Sequence, residues 1–158
     1  FEKQQPWRPP SVEDMTALQS LTLANTFVHT IDPDRSLAFY RDVLGFSVTT
    51  DVTNGDFRWV TLTTPTQPEL EITLDQIGPG AMPMTDGDRQ ALTELLAKGL
   101  LTALIFDCDD VDAVYEAVRA SGADVLQEPA DQFYGVRDCA FRDPDGNMVR
   151  FKTDLAQD

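Results

Sequence analysis

Apolar and polar positions alternate most cleanly in Met148-Val149-Arg150-Phe151-Lys152. Val149 and Phe151 fall on one face of a strand, and Arg150 falls on the other between Met148 and Lys152. Just before this run stands Asp143-Pro144-Asp145-Gly146. Its proline presets φ for the second position of a type I turn, and its glycine can take the positive φ that closes it. The pattern predicts a β-hairpin with strands near 136–142 and 147–153, a core under Val149 and Phe151, and Arg150 turned to the far side of the sheet.

Earlier in the chain, residues 21–31 are rich in β-branched side chains and predict a strand that Asp32-Pro33-Asp34 stops. Leu37, Ala38, Tyr40, Val43 and Leu44 then recur at helical spacing over 35–43, and Gly45 supplies the break. Strands follow at 46–52, 57–64 and 69–74, separated by Asn54-Gly55 and by Pro65-Thr66-Gln67-Pro68. Residues 76–100 read as a connector, first a loop through Gly78-Pro79-Gly80 and then a helix from Asp86 to Lys98 with Ala91, Leu92, Leu95 and Leu96 on its apolar face. A strand at 101–108 leads to a helix at 111–120 carrying Val111, Ala113, Val114, Ala117 and Val118. Strands at 124–127, 136–142 and 147–153 complete the pattern.

The two halves have the same order, β-α-β-β-β. Asp32 and Asp110 each end a first strand, and Gly45 and Gly122 each end the helix after it. One amphipathic helix covers one face of three or four strands and leaves the other bare. The expected fold is therefore α+β: two βαβββ modules forming a cup-shaped mixed sheet with helices on the convex face. The expected divisions are an N-terminal arm over 1–20, modules over 21–75 and 101–154, the 76–100 connector between them, and a 155–158 tail. Within the arm Ser11 is placed to cap a short helix over 12–19, and Trp7 to anchor the arm on its own or a neighbouring subunit.

Composition narrows the function classes. The 158 residues are 42% hydrophobic and 25% charged, enough to bury a core. A net charge of −15 sets the chain against nucleic acid and anionic membrane, both of which would repel it. No long apolar run predicts a membrane span, and no basic-then-apolar leader pattern is seen. Cys108 and Cys139, without a C-x-x-C spacing, are expected as free thiols in strands, which fits a reducing cytoplasm.

Three stretches carry a family resemblance. One is Asp34-Arg35-Ser36-Leu37-Ala38-Phe39-Tyr40-Arg41-Asp42-Val43-Leu44-Gly45-Phe46. The second is Asp109-Asp110-Val111-Asp112-Ala113. The third runs from Tyr134-Gly135-Val136-Arg137-Asp138 to Phe141-Arg142-Asp143-Pro144-Asp145-Gly146-Asn147. In this order the chain, over about 21–153, resembles the vicinal oxygen chelate superfamily of glyoxalase I, bleomycin-resistance proteins and extradiol dioxygenases. The resemblance implies a cup whose metal-binding members take ligands from four strand positions. Those positions fall here on Asn25, Glu71, Ala103 and Arg150. Alanine donates nothing and arginine brings a fixed positive charge, so the expectation is no metal and no cofactor. Glu71 and Arg150 are expected either to pair and fill the vacated position with a salt bridge, or to act on a ligand, Arg150 binding an oxygen and Glu71 taking a proton.

His29, the only histidine, shares strand parity with Asn25 and Phe27 and should face the cup near its rim. Trp59, Thr61, Thr63 and Thr73 should line it, with Ala103 and Met148 on the second module and Phe133 and Tyr134 closing over it. This make-up, apolar with a few polar groups, suits a small-molecule site. The leading expectation is a metal-free binder of a small organic molecule, working as a homodimer in the cytoplasm. The alternative is a cofactor-independent lyase or isomerase with His29 or Glu71 as catalytic base and Arg150 as its partner. A structural dimer module with a filled cup is the third reading.

Overall fold

The computed structural model describes residues 6–78 and 83–156. Residues 1–5 of the expected arm, 79–82 of the connector loop and 157–158 of the tail lie outside the described residues. The first module comprises β1 (Asn25–Thr30), α2 (Pro33–Leu37), β2 (Ser47–Asn54), β3 (Phe57–Thr64) and β4 (Gln67–Gln76). The second comprises β5 (Ala103–Asp107), α4 (Val111–Ala120), β6 (Asp124–Asp131), β7 (Val136–Arg142) and β8 (Met148–Asp154). Helix α1 (Val12–Leu18) precedes the first module, and α3 (Asp86–Ala97) precedes the second. The α+β fold of two similar modules is thus observed, as two four-stranded mixed sheets ordered β1-β4-β3-β2 and β5-β8-β7-β6. In each, the first strand runs parallel to the last, and the remaining pairs are antiparallel. Among the described residues no helix is long and apolar enough to cross a membrane.

Several elements depart from the pattern-based limits. Strand β1 begins at Asn25 rather than at residue 21, because its partner β4 first pairs there, Asn25 with Glu71. Leu21 and Leu23 are left exposed outside the ladder. The first module's helix starts at Pro33 under an Asp32 cap and continues from Ala38 to Val43 as a π-helix. Its wider turn is closed by Leu44 N–H donating to the Phe39 carbonyl at 3.0 Å. That winding narrows the angle between successive side chains and lets the adjacent Phe39 and Tyr40 both enter the core. Strand β5 is shorter than expected, and β6 runs on to Asp131 over two register shifts. Ser11 caps α1 in a capping box with Asp14, as the sequence suggests, but α1 buries no residue and Trp7 is exposed rather than anchored on its own chain. In α3 only Leu96 of the expected apolar face is buried.

The helix sides of the two sheets share one buried cluster. It joins Val28, Leu37, Tyr40, Phe46, Val60, Leu62 and Leu74 to Val111, Tyr115, Val118, Phe141, Val149 and Phe151. Phe46 and Phe106 cross between the modules with ring centroids 5.3 Å apart. The expected turn, Asp143 to Gly146, is part of the same junction. Asp143 accepts backbone hydrogen bonds from Asp145, Gly146 and Asn147, each at 3.0 Å. Gly146 has φ +113°, and a Cβ there would stand 2.6 Å from the Leu96 carbonyl oxygen, so the turn needs glycine both for its backbone and for the close approach of α3. Because both sheets turn their helix sides to this common cluster, their other faces look away from it.

Candidate functional site

The register of β1 on β4 sets Asn25 beside Glu71, Phe27 beside Thr73 and His29 beside Asp75. Thr73 in turn lies beside Thr61 of β3, and Trp59 beside Val52 of β2. The first module's outer face thus gathers Asn25, Phe27, His29, Trp59, Thr61, Glu71 and Thr73, as their strand parity predicts. The Thr73 hydroxyl donates to Asn25 Oδ1 at 2.6 Å. Thr49, absent from the sequence-based set, is on this face too, two residues on from Ser47, which pairs with Thr63 of β3. Its hydroxyl lies 2.6 Å from that of Thr61 and donates to Glu71 Oε1 at 3.0 Å. Beside this polar floor stand three rings. Phe27 meets Trp59 edge-on with centroids 6.3 Å apart, and Phe57 lies at the same distance on the other side.

The second module's outer face carries Ala103 and Ile105 of β5 next to Met148 and Arg150 of β8. Arg150 is 22% exposed; its Nη1 donates to Asp138 Oδ2 at 2.7 Å and to Gln127 Oε1 at 3.0 Å. Asp138 is 1% exposed and also accepts from Gln127 Nε2 at 2.7 Å and Gln132 Nε2 at 2.9 Å. Burial pushes its carboxyl pKa up, but the donors from Gln132, Gln127 and Arg150 together outweigh burial and hold it below the ordinary value. Phe133 and Tyr134 pack edge-on at 5.1 Å on an exposed turn beside this network, with the Tyr134 hydroxyl 3.5 Å from Asp138 Oδ2.

The expected pairing of Glu71 with Arg150 is not formed within the chain. Glu71 is served by hydroxyls, Arg150 by Asp138, and the two faces point away from the shared core. Nor are His29 and Glu71 neighbours. Glu71 is opposite Asn25, four residues up β1 from His29, which is about 13 Å at the rise of a strand. His29 Nδ1 instead lies 3.3 Å from Asp75 Oδ2. The sequence reading missed Asp138, Gln127 and Gln132 as partners. Only Asp138 had a visible signal, since it shares parity with Ala140 and so with Arg150's face. Two depressions of about 650 and 660 Å³ lie along the helix-side seam, and none of the expected site residues line them.

The four strand positions do not fit the metal that the resemblance implies. Ala103 has no donor atom, Arg150 fills its position with a cation already paired to Asp138, and Asn25 Oδ1 is occupied by Thr73. Among the described residues no three His, Cys, Asp or Glu side chains converge as ligands.

The structure is thus one of paired βαβββ modules, each with an amphipathic helix on one side and a polar-floored aromatic or arginine-bearing face on the other. The chain belongs to the Glyoxalase/Bleomycin resistance protein/Dioxygenase superfamily, whose family model spans residues 22–151. It is 32% identical to a lactoylglutathione lyase of Haemophilus influenzae, covering 83% of this chain and 91% of that protein. The crystal structure of UcmS2 is similar at 30% identity and a TM-score of 0.75, over 84% of this chain and 97% of that one. TnmS3, an antibiotic binding protein from Streptomyces sp. CB03234, has the same fold at 24% identity and a TM-score of 0.64, over 85% of this chain and 96% of that one.

Proposed function

We propose that the protein is a metal-free binder of a small, planar organic molecule, sequestering an antibiotic or aromatic metabolite. We also propose that its cup is completed by a homodimer, the first module of one chain facing the second module of its partner. The observation that carries this reading is the Phe57–Trp59–Phe27 cluster beside a floor of Asn25, Thr61, Glu71 and Thr73. It is an aromatic wall with a few fixed polar groups on the side of the sheet that the core does not use. Phe27 is 47% exposed and Ile105, on the other module's face, 60% exposed, and β1 and β5 are both edge strands. Edge strands bearing exposed apolar side chains are commonly covered by pairing, and a second copy supplies the complementary face. Asn25, His29, Arg150 and the Phe133–Tyr134 turn would orient the ligand's polar edge and close over it. The fold shared with an antibiotic binding protein agrees with the reading. The test is thermal shift across a metabolite and antibiotic panel, followed by Trp59 fluorescence in a Trp7→Phe background. No ligand moving either signal would remove the binding reading.

A second reading is favoured by the lyase relative: a lyase or isomerase without cofactor, with His29 or Glu71 as base and Arg150 as its oxygen-binding partner. It requires the partner chain to bring Arg150 near one of those bases, since one chain does not. Turnover of lactoylglutathione by the dialysed protein would support it over simple binding.

A further inference from the structure

Arg150 has five N–H donors. Two, both on Nη1, are committed to Asp138 and Gln127. Nη2 meets only the weakly accepting Met148 sulfur at 3.8 Å, and Nε has no hydrogen-bond partner among the described residues. The arginine therefore keeps unspent donors on the outer face of the second module. Its charge, in contrast, is spent. Asp138 is almost fully buried beneath it and is held as a carboxylate by Gln127 and Gln132 as well. The other ionisable groups named on the cup faces are acidic or already paired: Glu71 among hydroxyls, His29 against Asp75, and Lys152 against Asp107 and Asp154. The chain as a whole carries −15.

We propose that the cup selects ligands that present an uncharged oxygen acceptor, such as a ketone, amide or ester carbonyl, to the free edge of Arg150, and that it rejects carboxylates and phosphates. The inference rests on the binding reading above and names the ligand chemistry of that same site. An uncharged carbonyl accepts hydrogen bonds from a guanidinium, bonds stronger than those between neutral groups, and gives up little hydration to reach them. A carboxylate accepts the same bonds but loses far more hydration. It finds no net positive charge in return, because the Arg150–Asp138 pair sums to zero. The next cation on that face, Lys152, is already held by both Asp107 and Asp154, so the charges beyond the pair sum to a negative value. Asp138 thus acts as a specificity-determining residue without touching the ligand: it leaves the arginine its donors and cancels its attraction for anions.

The test is a titration of ¹⁵N-labelled protein at neutral pH with 2-naphthamide and with 2-naphthoate, which differ in charge and not in ring. The Trp59 indole and Arg150 Nε–H signals are the readouts. 2-Naphthamide should move both signals and bind at least about tenfold more tightly than 2-naphthoate. Asp138→Asn, which keeps the shape and frees the arginine's charge, should erase or invert that preference. Arg150→Gln is the control should Asp138→Asn fold poorly: it should weaken 2-naphthamide without strengthening 2-naphthoate. Equal or tighter binding of 2-naphthoate by the unaltered protein overturns the charge rule while Trp59 still responds. An unchanged preference in a folded Asp138→Asn, or unchanged 2-naphthamide binding in Arg150→Gln, overturns it too. Silence at Trp59 with both probes removes the binding reading itself, and this proposal with it.

Discussion

The carboxylate of Asp145, in the last turn of the second module, accepts a hydrogen bond at 2.8 Å from the hydroxyl of Thr30 at the end of β1 in the first. The same carboxylate takes the Ile31 N–H at 3.2 Å and the Ser36 hydroxyl at 3.1 Å, so one side chain latches the two modules. Thr30 and Ser36 are fully buried. Ser36 keeps the Thr30 hydroxyl as an acceptor at 2.7 Å, so Asp145→Ala leaves one buried donor, the Thr30 hydroxyl, without its acceptor and should cost about 1–3 kcal/mol. Urea unfolding reads this directly, and an unchanged midpoint would show that the junction does not depend on the latch.

Tyr40 is fully buried, and its hydroxyl donates to Asp143 Oδ2 at 2.7 Å. Burial first, and the neighbouring Asp143 carboxylate second, push its pKa well above the ordinary 10.0. In the unfolded chain the phenol ionises near 10, while in the folded one it stays protonated. The stability it contributes is therefore complete below that pH and is lost as pH rises through and beyond it. Unfolding free energies measured from pH 8 to 11 should fall along this limb. Tyr40→Phe should cost about 1–2 kcal/mol near neutrality, by leaving Asp143 short of a donor, and flatten the alkaline fall. Parallel alkaline limbs for the two proteins would refute the assignment.

What the sequence made legible was parity and repetition. Alternation around Val149 and Phe151 put Arg150 on the correct face, and the repeated Asp-then-helix and Gly-then-strand signals gave both modules. What it hid was anything set by the meeting of distant segments. The Asp143–Asn147 turn reads locally as a hairpin closure, yet its second duty is to hold Thr30, Ser36 and Tyr40, more than a hundred residues upstream. Thr49 meets Glu71 across the intervening strand β3, a contact that alternation along one strand cannot show. Glu71 and Arg150 were matched because both are charged and both occupy family ligand positions. A buried aspartate one strand away supplies Arg150 with a partner at lower desolvation cost than a glutamate on the other sheet.

That partnership makes Arg150 a residue of stability as well as of the site. Arg150→Met leaves Asp138 buried with only glutamine donors, and breaking such a pair should cost about 3–5 kcal/mol near neutrality. The sign with pH is fixed by the lowered carboxyl pKa of Asp138. In the unaltered protein its contribution is present above the unfolded value of 3.8 and is lost as pH falls through the lower, folded one. Without Arg150 the carboxyl takes a proton at higher pH, so the variant's deficit should shrink as the solution is acidified toward pH 4. A deficit that is constant with pH would mean the loss comes from packing rather than charge.

The sharpest separation of binder from enzyme comes from Trp59 and His29. Trp59 is flanked by Phe27 and Phe57, and burying a planar ligand against these rings removes on the order of 100 Å² of apolar surface, about 2.5 kcal/mol at 25 cal/mol/Å². His29 lies toward the other end of β1, engaged with Asp75, where it can orient a ligand's edge but adds little contact area. If the cup is a binding site, Trp59→Ala should weaken affinity at least about thirtyfold, the equivalent of about 2 kcal/mol, while His29→Ala changes it by less than about fivefold. Calorimetry on the first ligand found in the panel decides the matter. If the protein is a catalyst, the order reverses in turnover: His29→Ala or Glu71→Gln collapses kcat while the ligand still binds, and Trp59→Ala acts mainly on KM.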